Sequence, residues 1–404
     1  MKLLESILKR MKDISKPQMK FMLTLFKTVM SLSGRVNFTN MSRYSDLNER
    51  TYSRNFRRCF DFSCFNNLIV EETYDPRKQY ILALDPSFIP KSGKKTYGLG
   101  KFWNSAANRA MKGLEISSIA MIDVNDKTAY TLNVQQVIPS SEDSEDTAID
   151  FFLKQVKTLK SQQRSFRLPI HLAVDGYFFK QRFAGAIKDI GFHLICKARK
   201  DANCRYLYHA PKSVKPGRGR PRQYAGKINW KALDLSLFEF VEHINESISL
   251  YSCIVYSVCL KEKIKLVYVL RTDKKKRESY ALLFSTDLTL EAKLIYQFYK
   301  ARFQIEFTFR DAKPFLGLTH CQARDKESLH FHFNMSLALL NLIRAEHVLK
   351  KPPNQESFSM ASYKRRYANE MLLELFLSKL DFQLSCQKIQ TAYQELRHYG
   401  AIAA

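Results

Sequence analysis

The sequence predicts an α/β protein: a mixed sheet flanked by helices, with an inserted β subdomain and a helical N-terminal module in front. Three features predict it. Between residues 77 and 199, short apolar runs alternate with amphipathic stretches, as strands exchanging with helices do. Residues 200–285 hold β-rich runs with no strong helical period between them. Residues 21–62 and the chain beyond Glu291 carry apolar side chains at the three-to-four spacing of a helix. The expected division is a helical module over 1–76, a core over 77–199, the β-rich insertion over 200–285, the rest of the core over 286–350 and a helical tail over 351–404.

The N-terminal pattern breaks at Ser33-Gly34 and again near Ser45-Asp46. On the helix that follows, Arg50, Arg54, Arg57 and Arg58 share one face, while Tyr52, Phe56 and Cys59 or Phe60 share the other. A short helix, a turn and a helix cationic on one side describe a helix-turn-helix whose second helix could lie in a DNA major groove. The plainer alternative is a solvated basic face. Residues 80–84, Tyr-Ile-Leu-Ala-Leu, read as a buried strand that stops at Asp85-Pro86. Residues 115–124 and 128–138 read as a hairpin around Asn125-Asp126, and 148–159 as a helix. A second buried strand, 170–174, ends at Asp175-Gly176, followed by a helix near 178–189 and a strand at 192–196. Past Glu291 the helical pattern is interrupted at Pro314, resumes over 326–350 and ends in a basic tail after Pro352-Pro353.

Composition narrows the function. With 404 residues, 45% of them hydrophobic, and only 13 Gly and 12 Pro, a disordered or collagen-like chain is excluded. The 65 Lys and Arg outnumber 39 Asp and Glu to give a net charge of +26, which attracts a polyanion, nucleic acid first of all. No apolar run approaches the ~20 residues of a membrane span. The charged N-terminus does not resemble a secretory leader, so a cytoplasmic, nucleoid-associated protein is expected. Eight scattered cysteines without paired spacing fit free thiols. No Walker-type phosphate loop occurs, so no nucleotide cofactor is expected.

Asp85 and Asp175 each end an apolar strand, which is how a sheet edge presents carboxylates to a ligand; singly, each is also a turn dipeptide. A third acid stands in the helical segment 299–313. At 100° per residue, Tyr299, Arg302, Glu306 and Lys313 fall within an arc of about 60°. Lys300, Gln304, Thr308 and Asp311 occupy a second polar sector, so the segment has two hydrophilic faces, one for solvent and one for a site. A simple surface Arg–Glu pair is the plainer account, but it does not explain polar groups set among Phe298, Phe303 and Phe309.

The spacing Y-x2-R-x3-E-x6-K, downstream of two strand-ending aspartates, resembles the signature of bacterial insertion-sequence transposases of the DDE class. The resemblance covers most of the chain and implies an RNase H-like catalytic core. It implies that Asp85, Asp175 and Glu306 are catalytic and bind two divalent ions, Mg²⁺ or Mn²⁺, while Tyr299, Arg302 and Lys313 hold transposon-end DNA. It also implies double-stranded DNA as partner and a homodimer on the paired ends. Two ions ~3.5–4 Å apart suit phosphodiester chemistry because they serve the attacking and leaving oxygens together. The expected activity is cut-and-paste transposition: binding of terminal inverted repeats, cleavage, and joining of the 3′-hydroxyl to target DNA. The rivals are an RNase H-like nuclease that cuts without joining and a non-catalytic DNA-binding regulator.

Four further features stand outside that signature. Residues 212–222 interleave Arg218, Arg220 and Arg222 with Gly and Pro, resembling an AT-hook that suits a narrow minor groove; an ordinary basic loop reads equally well. The loop 91–112, with six Lys or Arg, is expected to track a DNA backbone. His330-x-His332 favours packing over zinc, since helical spacing sends the two rings apart. Trp230 favours the core over stacking on an unpaired base.

Overall fold

A computed structural model describes residues 2–139, 147–162, 164–208, 220–273, 275–350, 357–380 and 387–401. Five helices open the chain: α1 (Lys2–Arg10), α2 (Lys16–Ser31), α3 (Phe38–Arg43), α4 (Glu49–Phe56) and α5 (Phe62–Thr73). Polar caps start four of them. The side chains of Ser15, Asn37, Asn48 and Asp61 each accept a first-turn backbone N–H that would otherwise lack a partner. The cationic helix is shorter than its pattern suggests. α4 ends at Phe56, so Arg57 caps it and Arg58 lies beyond; only Arg50 and Arg54 remain exposed on the helix. Arg57 instead lies 3.7 Å from the Asp325 carboxylate.

The strands are β1 (Tyr80–Pro90), β2 (Gly100–Asn104), β3 (Arg109–Asp123) and β4 (Thr128–Val137), then, after α6 (Ala148–Ser161), β5 (His171–Val174). After α7 (Gln181–Ile190) come β6 (His193–Ala198), β7 (Cys204–Leu207), β8 (Tyr224–Lys227), β9 (Glu239–Asn245), β10 (Ile248–Ser257), β11 (Glu262–Thr272) and β12 (Glu278–Ser285). Among the described residues they form one sheet in the order β2-β3-β1-β5-β6-β12-β11-β10-β7-β8, with β4 also on β3 and β9 also on β10. β1, β5 and β6 are parallel neighbours; β3 and β12 flank them antiparallel. The strands of residues 200–285, expected as an inserted subdomain, therefore continue the same sheet: β12 pairs with β6 from Leu282↔Ala198 to Ser285↔Ile195. Residues 91–112, expected as loop, contain β2 and the start of β3.

The first strand does not stop at Asp85. β3 keeps pairing with β1 as far as Pro90↔Gly113, whereas β5 pairs it only at Leu82 and Ala83. Past Ala83 the strand is bonded on one side, where a proline without an N–H is tolerated. Residues 176–178 form a 3₁₀ turn, and the helix expected there begins at Gln181.

The second helical part comprises α8 (Ala292–Ala301), α9 (Phe303–Phe315), α10 (Lys326–Lys350), α11 (Met360–Lys379) and α12 (Gln387–Arg397). α9 runs through Pro314, which sits at its last turn and displaces little. α10 is buried without interruption over residues 331–346, with Asn334, Asn341 and Arg344 enclosed among its Phe, Leu, Met and Ile side chains. It packs on α5, β4, α9 and α11. Phe331 lies against Phe56 and Phe62, with ring centroids 4.5 and 5.1 Å apart, and Asn341 donates to Asn66 Oδ1 at 3.0 Å. One hydrophobic cluster thus spans the N-terminal helices and the sheet. No helix among the described residues is long and apolar enough to cross a membrane.

Candidate active site

Strand register brings the two aspartates level. Ala83 pairs with Ala173, and Asp85 and Asp175 each lie two residues beyond. Both sit where adjacent parallel strands part, the place at which open α/β sheets present ligands. Asp175 also opens the 3₁₀ turn, its Oδ1 accepting from Tyr177 N at 3.0 Å.

The third acid comes from α9, which crosses this sheet edge. The segment 299–313 is not one continuous helix: α8 ends at Ala301 and α9 starts at Phe303, with Arg302 between them at helical φ and ψ. The interruption is mild enough to keep Arg302, Glu306 and Lys313 turned towards one cavity. That cavity, of about 950 Å³, is lined by Asp85, Glu115, Asp175, Arg302, Glu306 and Lys313, with Tyr177 and Trp103 at its sides. Tyr299 stands behind it, half-buried, its ring 5.6 Å from the Arg302 guanidinium.

Arg302 organises the carboxylates. Its Nη1 lies 3.3 Å from Asp85 Oδ1 and its Nη2 2.8 Å from Glu306 Oε1, with the side chain only 6% exposed. The remaining nitrogen, Nε, is buried without a hydrogen-bond partner among the described residues. Burial pushes the Asp85 carboxyl up to about 7; Arg302 opposes this, while Glu306, Asp175 and Glu115 reinforce it. Burial also raises the Tyr299 phenol to about 12 and lowers the Lys313 ammonium, the latter against the pull of Asp85. Burial alone lifts Glu115 to about 7.

Three oxygen-donor carboxylates on one cavity have the right chemistry for hard divalent ions. Among the described residues, however, no three His, Cys, Asp or Glu side chains stand close enough to hold an ion as arranged. The Arg302 guanidinium lies between Asp85 and Glu306 and offsets their charge. The donor set fits; the arrangement is one in which Arg302 takes a cation's place.

The other DNA-binding expectations fall elsewhere. Arg50, Arg54, Arg57, Arg220 and Arg222 are exposed and none lines the cavity, while Arg218 lies outside the described residues. Arg222 Nε donates to Tyr224 O at 3.0 Å. Trp230 is buried with Nε1 donating to Ala202 O at 2.6 Å, and His332 is buried with Nε2 2.7 Å from Gly317 O; both serve packing, as expected.

The second polar face of the signature segment meets solvent at Lys300 and partly at Gln304, but not at its far end. Thr308 and Asp311 are buried against α10, where Arg344 Nη1 donates to Thr308 Oγ1 at 2.8 Å and Nη2 lies 3.3 Å from Asp311 Oδ2. Sequence reading missed Arg344 and Glu115. Each carried a signal: Arg344 is the only charge in Leu-Ala-Leu-Leu-Asn-Leu-Ile-Arg-Ala, and Glu115 the only charge between residues 113 and 122.

Comparison with known families accords with this geometry. The family model described as the transposase DDE domain matches residues 76–342, which include all three acids, Arg302 and Lys313. No curated protein matches the chain significantly.

Proposed function

Because the chain belongs to the transposase DDE-domain family, we propose that it binds the terminal inverted repeats of an insertion sequence, cleaves the DNA there, and joins the freed 3′-hydroxyl to target DNA. The family implies a DNA-cleaving enzyme with DNA as its partner. The observation that carries the finer reading is the level placement of Asp85 and Asp175 at parting parallel strands, with Glu306 on the same cavity.

In this reading Asp85, Asp175 and Glu306 hold two divalent ions, Mg²⁺ or Mn²⁺. When bound, such ions activate the attacking water or 3′-hydroxyl and stabilise the leaving oxygen. Binding them requires Arg302 to leave Asp85 and Glu306. The freed guanidinium then suits a phosphate, which it can grip with two parallel hydrogen bonds. Lys313, half-buried on the same wall, supplies a point charge to the DNA backbone. Tyr299 backs the Arg302 plane and limits where it can swing. The exposed Arg50 and Arg54 of α4, with Arg57 beyond it, contact the repeat, Arg220 and Arg222 reach flanking DNA, and two copies synapse the ends.

The test uses the full chain, labelled terminal-repeat DNA and Mg²⁺. Asp175→Asn should keep end binding and lose cleavage. Equal cleavage by variant and wild type would remove Asp175 from the metal site, and wild-type cleavage without joining would make the protein a nuclease.

A further inference from the structure

A second cavity, of about 770 Å³, adjoins the catalytic one and shares Pro90 and Thr319 with it. Three loops distant in sequence build it: the turn between α2 and α3, residues 91–96 after β1, and residues 319–324 between α9 and α10. They are fastened to one another. Val36 N donates to His320 Nδ1 at 3.2 Å, and Tyr97 N donates to Arg324 O at 2.9 Å. Lys91 Nζ donates to the carbonyls of Cys321 and Ala323 at 2.5 and 3.0 Å. Gly317 permits the approach: its φ is +71°, and a Cβ there would collide with the Val36 side chain.

Exposed Arg35, Lys94, Lys95 and Arg324 line this cavity, and among the described residues no Asp or Glu does. None of these four cations has a carboxylate partner among the described residues, although all four line one cavity. His320 accepts from Val36 through Nδ1, so its neutral ring carries the proton on Nε2 as a further donor. A concave surface lined by one sign of charge focuses its field and concentrates the opposite charge. The fitting chemistry is the phosphate oxyanion. Continuity with the catalytic cavity favours a chain of phosphates over a single free one.

We propose that this cavity holds backbone phosphates of the DNA next to the cleavage point, so that the duplex runs from the catalytic cavity across residues 91–96 towards Arg35. The proposal rests on the transposase reading and adds the route of the DNA to it. It also ties the N-terminal module to the core through the DNA, because Arg35 belongs to the one and Lys94 to the other.

The test compares two triple variants of the full chain. Lys94→Gln/Lys95→Gln/Arg324→Gln removes three of the four exposed cations of the cavity and leaves Arg35 and the Lys91 and His320 fastenings in place. Lys127→Gln/Lys157→Gln/Lys261→Gln removes the same charge at exposed sites that do not line it. Duplex affinity is measured across a salt series. The cavity triple should flatten the plot of log Kd against log salt by roughly 0.9 per lost phosphate contact, about 2 to 3 in all, while the control leaves it nearly unchanged. An unchanged slope, or equal flattening in both triples, overturns the proposal. Calorimetry with inorganic phosphate at fixed ionic strength supplies the other arm. Saturable phosphate binding lost in the cavity triple, with the DNA slope intact, reassigns the cavity to a free anion and also overturns it. Wild-type cleavage with an unaltered slope sinks this inference alone, whereas wild type that neither binds nor cuts DNA sinks the transposase reading itself.

Discussion

Glu115 shows what one uncompensated carboxylate does to the molecule. It is half-buried on the cavity that Asp85, Asp175 and Glu306 line, has no cation partner among the described residues, and burial holds its carboxyl near 7. The unfolded chain releases that proton near pH 4.3. Because the folded pKa is the higher one, the stabilisation it contributes is complete below the unfolded value and lost as pH rises through about 7. Glu115→Gln, which mimics the protonated acid, should therefore raise metal-free stability at pH 8 by on the order of 3–4 kcal/mol. The gain should fade towards pH 4 in thermal melts with chelator; a gain independent of pH would remove the explanation. Asp85 and Asp175 were legible in the sequence because each follows an uninterrupted apolar strand. Glu115 was not singled out, because a single acid inside a strand looks like any outward-facing residue until the helix that covers it is known.

The element that matters most is α9, because it carries Glu306 and Lys313, and what fixes it is a buried ionic contact on its far side. Arg344 reaches from α10 to Thr308, Asp311 and the Ala129 carbonyl. Arg344→Met would leave the Asp311 carboxylate buried with only Arg310 beside it, at 3.2 Å. Breaking a buried pair from one side costs about 3–5 kcal/mol. Denaturant unfolding should show a loss of that size, with DNA cleavage falling as Glu306 shifts. Thr308→Val removes the hydroxyl that accepts from Arg344 Nη1 and donates to Gln304 O, but Nη1 keeps the Ala129 carbonyl and the ion pair stays, so the cost should be smaller, about 1.5–3 kcal/mol. Helical periodicity placed Thr308 and Asp311 on a common face, but period alone cannot say what faces them, and their partner lies more than 30 residues away in sequence. The extension of β1 past Asp85 was hidden for a similar reason: Asp-Pro is a turn signal, and only the pairing of β3 with its outer edge overrides it.

At the scale of the whole molecule, the sheet joins parts that composition had separated. β12 pairs with β6, so deleting residues 204–285 would expose the β6 edge rather than trim an appendage. Such a deletion should yield aggregated protein by size-exclusion chromatography; a soluble, folded product would show that the insertion stands by itself. The sequence made that segment visible as β-rich because alternation is local, whereas the sheet it joins is set by long-range register. The same unity holds on the helical side, where α10 lies buried between α5, β4 and α9. Its flank is lined by Phe56 and Phe62 from the first helices and touches the strand next to β3. The front helices are thus a jacket around the enzyme's spine. A lineage of such proteins could not trade one front end for another by plain fusion, since every newcomer would have to bring an oily surface moulded to the same helix.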